Sequence, residues 1–532
     1  MCGIVGYLGA EIPSARFQAA LAQLRHRGPY GEGSVALPHG GLAMTRLPMS
    51  SAAPTPLPVK TPQGYAAYNG EVYVRGADIH KEIALLLDGM AQGRLPDGMF
   101  ALASWDAQRA TLTLLRDGLG IKPLYYCYRP ADGSLAFASE IKPLLTLVGQ
   151  VAPDYGAIAE LVATGVPLSE QTLFSGVRLL QPGERLVFAL EDGRAQLLRR
   201  DSVTGAAEEA ELPLDAALER AVSFGRETFR PSALLLSGGM DSNLLNTYLE
   251  PDYPKFHLAL EQDAEPMLPQ RNLQRVPLRQ TDFMAVLRRA VANFGSATRM
   301  SSLVMYQQLA DAIGDAGYHC VLLGEGADEL FWGYPRHVAL WRQGAAPAPR
   351  EFCRAWFGDY AAKAELLAPD VGRALVARID ALGDSALQGG SEAAIDGFDR
   401  RYSLEPLLRR ADHLLMSRTI EARTPYLHAG VPALAGAAPR IVDGLAKAPL
   451  SALLQRRLPA WRYQPKRHFR LPFSHWPQVV EAMRRYLSAH GESLRQLGLV
   501  NLTPETLTTI DAAQLFTLTT LSFWQQEYEV AL

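Results

Sequence analysis

Nine residues in the middle of the chain, LLLSGGMDS at 234–242, combine the residue types that bind phosphate groups. The three leucines predict the end of a buried parallel strand, and a segment with helical spacing follows the loop. A glycine turn between a strand and a helix points backbone N–H groups at an anion. Gly238 and Gly239 let the backbone approach closely, while Ser237 and Ser242 add hydroxyl donors. The alternative is a strand-to-helix turn that holds no ligand.

Acidic residues in this loop and in a second one suggest a metal ion. Asp241 stands where a phosphate would bind, and that requires a cation such as Mg2+ between them. The apolar segment 320–323 predicts another strand, which is followed by the loop GEGADE at 324–329. Because carboxyl ends of parallel strands meet at one edge of a sheet, we expect Asp241 and Asp328 to share Mg2+. The alternative is helix capping, since acidic residues favour a helix N-terminus.

A third candidate is the thiol of Cys2, directly after Met1. Removal of Met1 would leave a thiol and a free α-amine on one residue. The amine has a pKa of about 7.7–8.0, which suits it to take the thiol proton at neutral pH. One residue would then supply both nucleophile and base. The alternative is a small buried cysteine with no chemical role.

Motifs in the first 145 residues have a familiar order. CGIVGY from Cys2, RHRGP from Arg25, RL at Arg46 and NGE from Asn69 resemble the glutaminase domain of class II glutamine amidotransferases. RDGLGIKPLYY and then FASEIKPLL resemble the asparagine synthetase branch of that group. The resemblance implies a four-layer αββα sandwich of the N-terminal-nucleophile type.

The resemblance also implies roles for individual residues of this domain. Cys2 would attack the glutamine amide, and the Asn69 side chain and the Gly70 N–H would form the oxyanion hole. Arg46 would contact the glutamine carboxylate. Glu71 and Asp78 would contact the glutamine α-amine. Taken alone, Arg46 could equally form a surface salt bridge, and Asn69-Gly70 could be a hairpin turn.

The loop SGGMDS resembles the SGGxDS pyrophosphate loop of enzymes that split ATP into AMP and pyrophosphate. By this resemblance ATP and its pyrophosphate are bound by Leu236, Ser237, Gly238, Gly239, Asp241, Ser242 and Gly324. GEGADE is similar to the synthetase motif SGEGxDE, in which Glu325 would orient the acceptor or its attacking amine. EARTPYL at 421–427 resembles EARxPFLD, and Lys447 matches a lysine that faces the adenylate. Lys466 matches a second family lysine.

Composition and length fit a two-domain enzyme. The 532 residues, 48% hydrophobic and 20% charged, are typical of a globular protein. A formal net charge of −3 gives no electrostatic case for nucleic acid or an anionic membrane. Four scattered cysteines without a CxxC pair argue against a zinc site and fit a reducing cytoplasm. No segment predicts a signal peptide or a membrane span.

These observations and the resemblance together predict an α/β and α+β protein. An αββα glutaminase sandwich at 1–195 precedes a parallel-sheet ATP-pyrophosphatase domain with a helical tail at 205–532, and the boundary falls between about 190 and 210. The expected chemistry is a carbon–nitrogen ligase that hydrolyses glutamine and adenylates a carboxylate acceptor for amidation. ATP and Mg2+ are the expected cofactors, and a homodimer is left open.

Three departures from the family pattern concern the acceptor. The interval 260–282 is short and rich in proline, Leu323 replaces a serine, and His428 replaces an aspartate. Aspartate is one expected acceptor, and the alternative is the same chemistry on a larger metabolite or sugar acid. A second alternative is a regulatory or binding protein whose synthetase site has lapsed.

Overall fold

The N-terminal part of the chain forms two antiparallel sheets and four helices. The computed structural model describes residues 2–203, 212–259, 271–343, 347–428, 430–462 and 471–529. The elements follow in the order β1 (Cys2–Leu8), α1 (Ser14–Ala22), β2 (Glu32–Leu37), β3 (Gly40–Arg46), β4 (Val59–Lys60), β5 (Gly64–Val72), α2 (Ile79–Gln92), β6 (Gly98–Asp106), β7 (Thr111–Arg116), β8 (Tyr125–Arg129), β9 (Ser134–Ala138), α3 (Ile141–Val148), α4 (Tyr155–Thr164), β10 (Val177–Leu179), β11 (Glu184–Glu191) and β12 (Arg194–Ser202).

The two sheets pack face to face because each turns one apolar side inward. Their strand orders are β10-β8-β9-β1-β3-β2 and β12-β11-β7-β6-β5-β4. Side chains such as Ile4 and Met44 of the first sheet share a buried cluster with Leu102 and Leu114 of the second. Helices α1 and α3 cover the outer side of the first sheet, and α2 packs against β5 of the second. The predicted αββα sandwich is confirmed.

The rest of the chain forms a parallel sheet surrounded by helices. The elements are α5 (Leu214–Arg226), β13 (Ser232–Leu235), α6 (Met240–Asn246), β14 (Lys255–Ala259), β15 (Leu273–Pro277), α7 (Phe283–Phe294), α8 (Ser302–Asp315), β16 (Cys320–Leu322), α9 (Ala327–Leu330), α10 (Pro335–Gln343), α11 (Pro349–Phe357), α12 (Tyr360–Ala364), α13 (Pro369–Leu387), α14 (Ser391–Asp399), α15 (Glu405–Met416), β17 (Glu421–Arg423), α16 (Val431–Leu434), α17 (Ala448–Arg457), α18 (Pro477–Gln496), α19 (Pro504–Thr509) and α20 (Ala512–Glu527). A π-helical turn, Arg400–Leu404, joins α14 to α15.

The order of the parallel strands places a switch point beside the two predicted loops. The strand order is β15-β14-β13-β16-β17. After β13 the chain adds β14 and β15 on one side of that strand, and then adds β16 and β17 on its other side. Ligands of open parallel sheets bind outside the carboxyl ends of the strands at such a point. SGGMDS follows β13 and GEGADE follows β16, so both loops flank the switch point.

Asn69 and Gly70 do not form the hairpin turn that was one alternative for them. They lie inside β5, whose pairing with β6 continues to Val72 opposite Gly98. Strand β12 ends at Ser202, within the interval predicted for the domain boundary. Residues 260–270 of the short 260–282 segment, and Lys466, lie outside the described residues. Among the helices described, none is long and apolar enough to cross a bilayer.

Candidate active sites

Cys2 lies at the start of β1, beside a buried amide side chain. Its backbone N–H donates a hydrogen bond of 3.0 Å to Oδ1 of Asn69, which is fully buried. Nδ2 of Asn69 has no hydrogen-bond partner among the residues that the structure describes. Leaving a buried donor unpaired costs about 1–3 kcal/mol. This donor is therefore free to bind an acceptor atom placed next to Cys2.

Gly70 is required by the close approach of the neighbouring strand. Its φ is +142°, and a Cβ at this position would lie 1.9 Å from the carbonyl oxygen of Met99. A side chain at position 70 would therefore push β6 away from β5. The resulting shift would also move Asn69, the preceding residue, relative to Cys2.

Burial favours the neutral form of the Cys2 thiol. Burial raises the pKa of the Cys2 thiol, and the positive charge of Arg46, opposite it in the β1–β3 pairing, only partly opposes this effect. Attack on an amide therefore requires a base that takes the thiol proton.

The three predicted glutamine-binding residues have different surroundings. Arg46 is half-buried, and its Nη1 donates to the carbonyl oxygen of Ala53 at 3.0 Å. Asp78 is exposed at the N-cap of α2, where it accepts a hydrogen bond from the Lys81 N–H at 2.9 Å. Glu71 turns toward the second domain. Their contacts with glutamine stay predictions.

Glu71 joins the two domains through Arg423. Both carboxylate oxygens of Glu71 accept from Nη2 of Arg423, at 2.6 and 2.7 Å, and Nε of Arg423 donates to Glu421 at 2.5 Å. Burial raises the pKa of Glu71 to about 7 although Arg423 opposes it. One guanidinium thus pairs with two carboxylates, the half-buried Glu71 of one domain and the fully buried Glu421 of the other. The NGE and EAR motifs are both visible in the sequence, but their pairing is not.

A second set of contacts links Cys2 to α15. The buried Arg27 donates from Nε to the carbonyl oxygen of Cys2 at 3.2 Å and from Nη2 to Asp412 at 2.8 Å. Three residues of the RDGLGIKPLYY motif contact the same helix. The pairs are Arg116 with Glu405 at 3.2 Å, Lys122 with Asp412 at 3.4 Å and Tyr125 with His413 at 2.8 Å. The motif therefore holds the N-terminal sandwich against the parallel-sheet domain.

The SGGMDS loop is open toward solvent at its tip and closed at its base. Ser237 and Gly239 are exposed, whereas Asp241 and Ser242 are buried. The Ser237 N–H donates to Oγ of Ser242 at 3.1 Å, which closes the turn. Gly238 has a φ of +77°, in the left-handed region that favours glycine. The loop thus presents glycine backbone and a hydroxyl to a ligand from the solvent side.

Asp241, Asp328 and Lys447 converge behind this loop. The buried Lys447 ammonium lies 2.6 and 2.7 Å from the Asp241 oxygens and 2.5 Å from Oδ1 of Asp328. Asp241 follows β13, Asp328 follows β16, and Lys447 directly precedes α17. Lys447 and Asp241 are 206 positions apart in the chain. The two predicted metal ligands and the predicted lysine therefore meet at the switch point of the parallel sheet.

Gly333 makes this convergence sterically feasible. A Cβ at position 333 would lie 2.0 Å from Oδ1 of Asp328 and 2.0 Å from Cε of Lys447. The glycine lies in the string ELFWGY, whose role the sequence analysis did not identify. Its packing against two side chains from distant segments leaves no local sequence signal.

Glu325 is held by residues that sequence reasoning missed. Oε1 of Glu325 accepts from Nη2 of Arg410 at 2.6 Å and from the hydroxyl of Tyr306. Nη1 of Arg410 also donates to Ser302. Arg410 lies on α15 and Tyr306 on α8, so two helices fix the carboxylate that follows β16. Neither residue stands in a recognisable motif.

Comparison with known families and proteins agrees with this geometry. The model of the family described as asparagine synthase matches residues 213–509, which is more than half of the chain. This chain belongs to the asparagine synthase family. A glutamine amidotransferase domain model matches residues 1–86 and 85–196.

Three curated relatives show how divergent this family member is. Asparagine synthetase B of Escherichia coli is 26% identical over 63% of this chain and 65% of its own length. Amidase chyE of Penicillium rubens is 26% identical over 63% and 59%, and asparagine synthetase 1 of Bacillus subtilis is 25% identical over 63% and 59%. The chain thus spans less than two thirds of the length of these relatives.

Two departures from the family pattern are buried in the structure. His428 packs against Tyr73 of the glutaminase domain, with Nε2 2.8 Å from the tyrosine hydroxyl. Burial lowers the pKa of His428 to about 3, so the ring is neutral. Leu323 is buried in the core around the parallel sheet. His428 thus contributes to the contact between the domains, and Leu323 to the core of the second domain.

Proposed function

We propose that the protein is a glutamine-dependent carbon–nitrogen ligase. It hydrolyses glutamine at Cys2, adenylates a carboxylate with MgATP and uses the released ammonia to displace AMP. Aspartate is the proposed acceptor, and asparagine the product. The observation that carries this proposal is the meeting of Asp241, Asp328 and Lys447 at the switch point of the parallel sheet.

The glutaminase half follows from the surroundings of Cys2. With Met1 removed, the α-amine of Cys2 takes the proton of the neutral thiol, and the thiolate attacks the glutamine amide carbon. Nδ2 of Asn69 donates to the developing oxyanion, because no other described residue accepts its hydrogen bonds. The N–H of Gly70 is the second proposed donor. One such donor lowers the activation barrier by about 2.7–4 kcal/mol.

The synthetase half uses the exposed loop and the acidic residues at its base. Ser237, Gly238 and Gly239 face solvent where the ATP phosphates would bind. Asp241 and Asp328 fit Mg2+, because they direct carboxylate oxygens, the donors that Mg2+ prefers, at one cation position now filled by the Lys447 ammonium. Bound there, Mg2+ would neutralise charge on the pyrophosphate leaving group. Lys447 would then be released to face the reacting carboxyl or phosphate oxygens.

The acceptor would bind near Glu325. This carboxylate is accessible at its edge and is fixed by Arg410 and Tyr306, so it can orient an amine without losing its own position. Arg410 on α15 also lies two positions before Asp412, the partner of Arg27. Ammonia released at Cys2 is proposed to travel internally along this interface between the two domains.

The proposed location is the cytoplasm. All four cysteines are free and buried in the structure, which fits a reducing compartment. A homodimer stays a prediction, which sedimentation of the purified chain would test.

Two variants separate the two halves of the proposed reaction. Cys2→Ala should abolish glutamate formation from glutamine while leaving pyrophosphate release with free ammonium intact. Asp241→Asn should remove most pyrophosphate release and leave glutamine hydrolysis intact. Loss of both activities in both variants, with the fold preserved by circular dichroism, would contradict two separate sites. Wild-type glutamate formation by Cys2→Ala would overturn the assignment of the nucleophile.

A further inference from the structure

A cavity of about 360 Å³ lies between the glutaminase sandwich and the helices of the second domain. One wall comes from residues in the segments 166–172 and 179–182, and the opposite wall from residues between 397 and 409. None of the residues predicted for glutamine, ATP or metal binding lines it. The cavity is therefore a third space, separate from both candidate active sites.

The inner surface of the cavity is largely apolar. Ile141, Val166, Leu179 and Leu404 line it and are otherwise buried in the protein. Its volume falls in the range of about 300–1,000 Å³ that is typical of small-molecule sites. An aliphatic or aromatic body of moderate size would thus be buried against these side chains.

The two carboxylates in the cavity wall already form ion pairs with arginines. Glu170 pairs with Arg178, at 2.9 Å, and with Arg200. Glu405 pairs with Arg116 at 3.2 Å and with Arg409, which also lines the cavity, at 3.3 Å. The lining carboxylates therefore leave the charges of Arg400 and Arg401 uncompensated.

The lining arginines supply an excess of positive charge. The guanidinium groups of Arg400 and Arg401 form no ion pair or hydrogen bond with any residue that the structure describes, and both residues are exposed at the rim. Arg409 is half-buried over the ring of Phe294, at 4.7 Å from its centroid. A guanidinium with unused donors beside an apolar surface is suited to bind a carboxylate or sulfonate.

The backbone of this wall is unusual. Arg400–Leu404 is the π-helical turn between α14 and α15, and Arg400, Arg401 and Leu404 all line the cavity. π-helical turns are rare and occur frequently at functional sites, because the extra residue redirects side chains. Here the turn places two arginines at the rim and a leucine in the wall.

We propose that this cavity binds a small organic anion with an apolar body. The apolar part would pack against Ile141, Val166 and Leu404, and its carboxylate or sulfonate would pair with Arg400 at the rim. The occupant would touch both domains, since Val166 belongs to the sandwich and Leu404 to the second domain. Binding should therefore also raise the melting temperature of the chain.

The test uses 8-anilinonaphthalene-1-sulfonate, an aromatic body with one sulfonate, as the probe. Fluorescence titration of the full chain, with MgATP present to fill the synthetase site, should show saturable binding of one probe per chain. N-phenyl-1-naphthylamine, which has the same body without the charge, should bind about tenfold more weakly or worse.

Two variants locate the binding. Gly397→Trp should abolish it, because Gly397 lines the cavity and a Cβ added there meets no atom within 4 Å, so the indole can fill the space without displacing backbone. Arg400→Glu should weaken it by about tenfold or more. Arg373→Glu, at an exposed arginine of α13 outside the cavity, is the matched control and should bind as the wild type does.

The proposal is overturned if Gly397→Trp and Arg400→Glu bind the sulfonate as tightly as Arg373→Glu does. It is also overturned if no saturable binding occurs, or if the neutral analogue binds as well as the sulfonate. Glutamine hydrolysis by each variant reports whether the chain is folded, because no residue of the Cys2 site is altered. A saturable wild-type signal that both cavity variants lose, and that the control keeps, supports the proposal.

Discussion

The substitution Gly333→Ala probes the cluster of Asp328 and Lys447 without changing either residue. The added Cβ would lie 2.0 Å from Oδ1 of Asp328 and 2.0 Å from Cε of Lys447. Ordinary contact begins at about 3.4 Å, so each of these atoms, or the backbone at 333, must move by roughly 1.4 Å. The ammonium and the carboxylate would be forced apart, and both hold charge in the proposed adenylation.

The expected losses follow from the size of this shift. Overpacking of a buried site costs about 1–3 kcal/mol of stability, so the variant should fold with a lowered melting temperature. Misplacement of catalytic groups by about 1 Å can reduce the rate about 100-fold. We therefore expect pyrophosphate release to fall by roughly two orders of magnitude. Glutamine hydrolysis should stay near the wild-type rate, since Cys2 and Asn69 are unaffected.

The assay measures pyrophosphate and glutamate from the same reaction mixture. Gly491→Ala is the matched control, because this helical glycine would place its Cβ 3.9 Å from Nη1 of Arg495, its nearest neighbour. The control should leave both rates unchanged. If Gly333→Ala retains pyrophosphate release within about twofold of the wild type while folded, the reaction does not depend on the positions of Asp328 and Lys447.

Three further substitutions test neighbouring parts of the account. Asn69→Ala should lower kcat for glutamine hydrolysis by about 10²–10³ in a glutamate assay, because one oxyanion donor is lost. Burial, with Asp328 nearby, raises the pKa of Glu329 to about 8. The protein therefore loses stability as pH rises from about 4.5, where Glu329 of the unfolded chain ionises, toward 8. Glu329→Gln removes this loss, so it should raise the melting temperature more at pH 8 than at pH 5. Arg423→Gln should lower the unfolding free energy by about 3–5 kcal/mol in urea titrations, since two buried carboxylates lose their shared cation.

The sequence predicted those parts of the protein that are encoded locally. Strand periodicity and glycine loops located β13 and β16, and the predicted loops indeed follow them. Cys2 and Asn69 also meet as expected, because the antiparallel pairing of β1 with β3 and the sandwich bring their strands together. Each of these inferences rested on a short string whose residue types have a direct physical meaning.

Contacts between distant segments could not be predicted in this way. Nothing in the NGE and EAR motifs indicates that Glu71 pairs with Arg423 across the domain interface, and contact of Glu71 with glutamine stays a prediction. The contact of His428 with Tyr73 is likewise not visible in the sequence. Arg410 carries no motif, yet it fixes Glu325. Such pairs depend on how two domains pack, and no local spacing encodes that.

The central claim is that one chain transfers the amide nitrogen of glutamine to a carboxylate at the cost of ATP. The direct measurement is mass spectrometry after incubation with amide-¹⁵N glutamine, MgATP and aspartate. The account predicts ¹⁵N-asparagine in amounts equal to the AMP and pyrophosphate formed. Continued ¹⁵N-ammonia release from glutamine, with neither asparagine nor pyrophosphate above background, would contradict it.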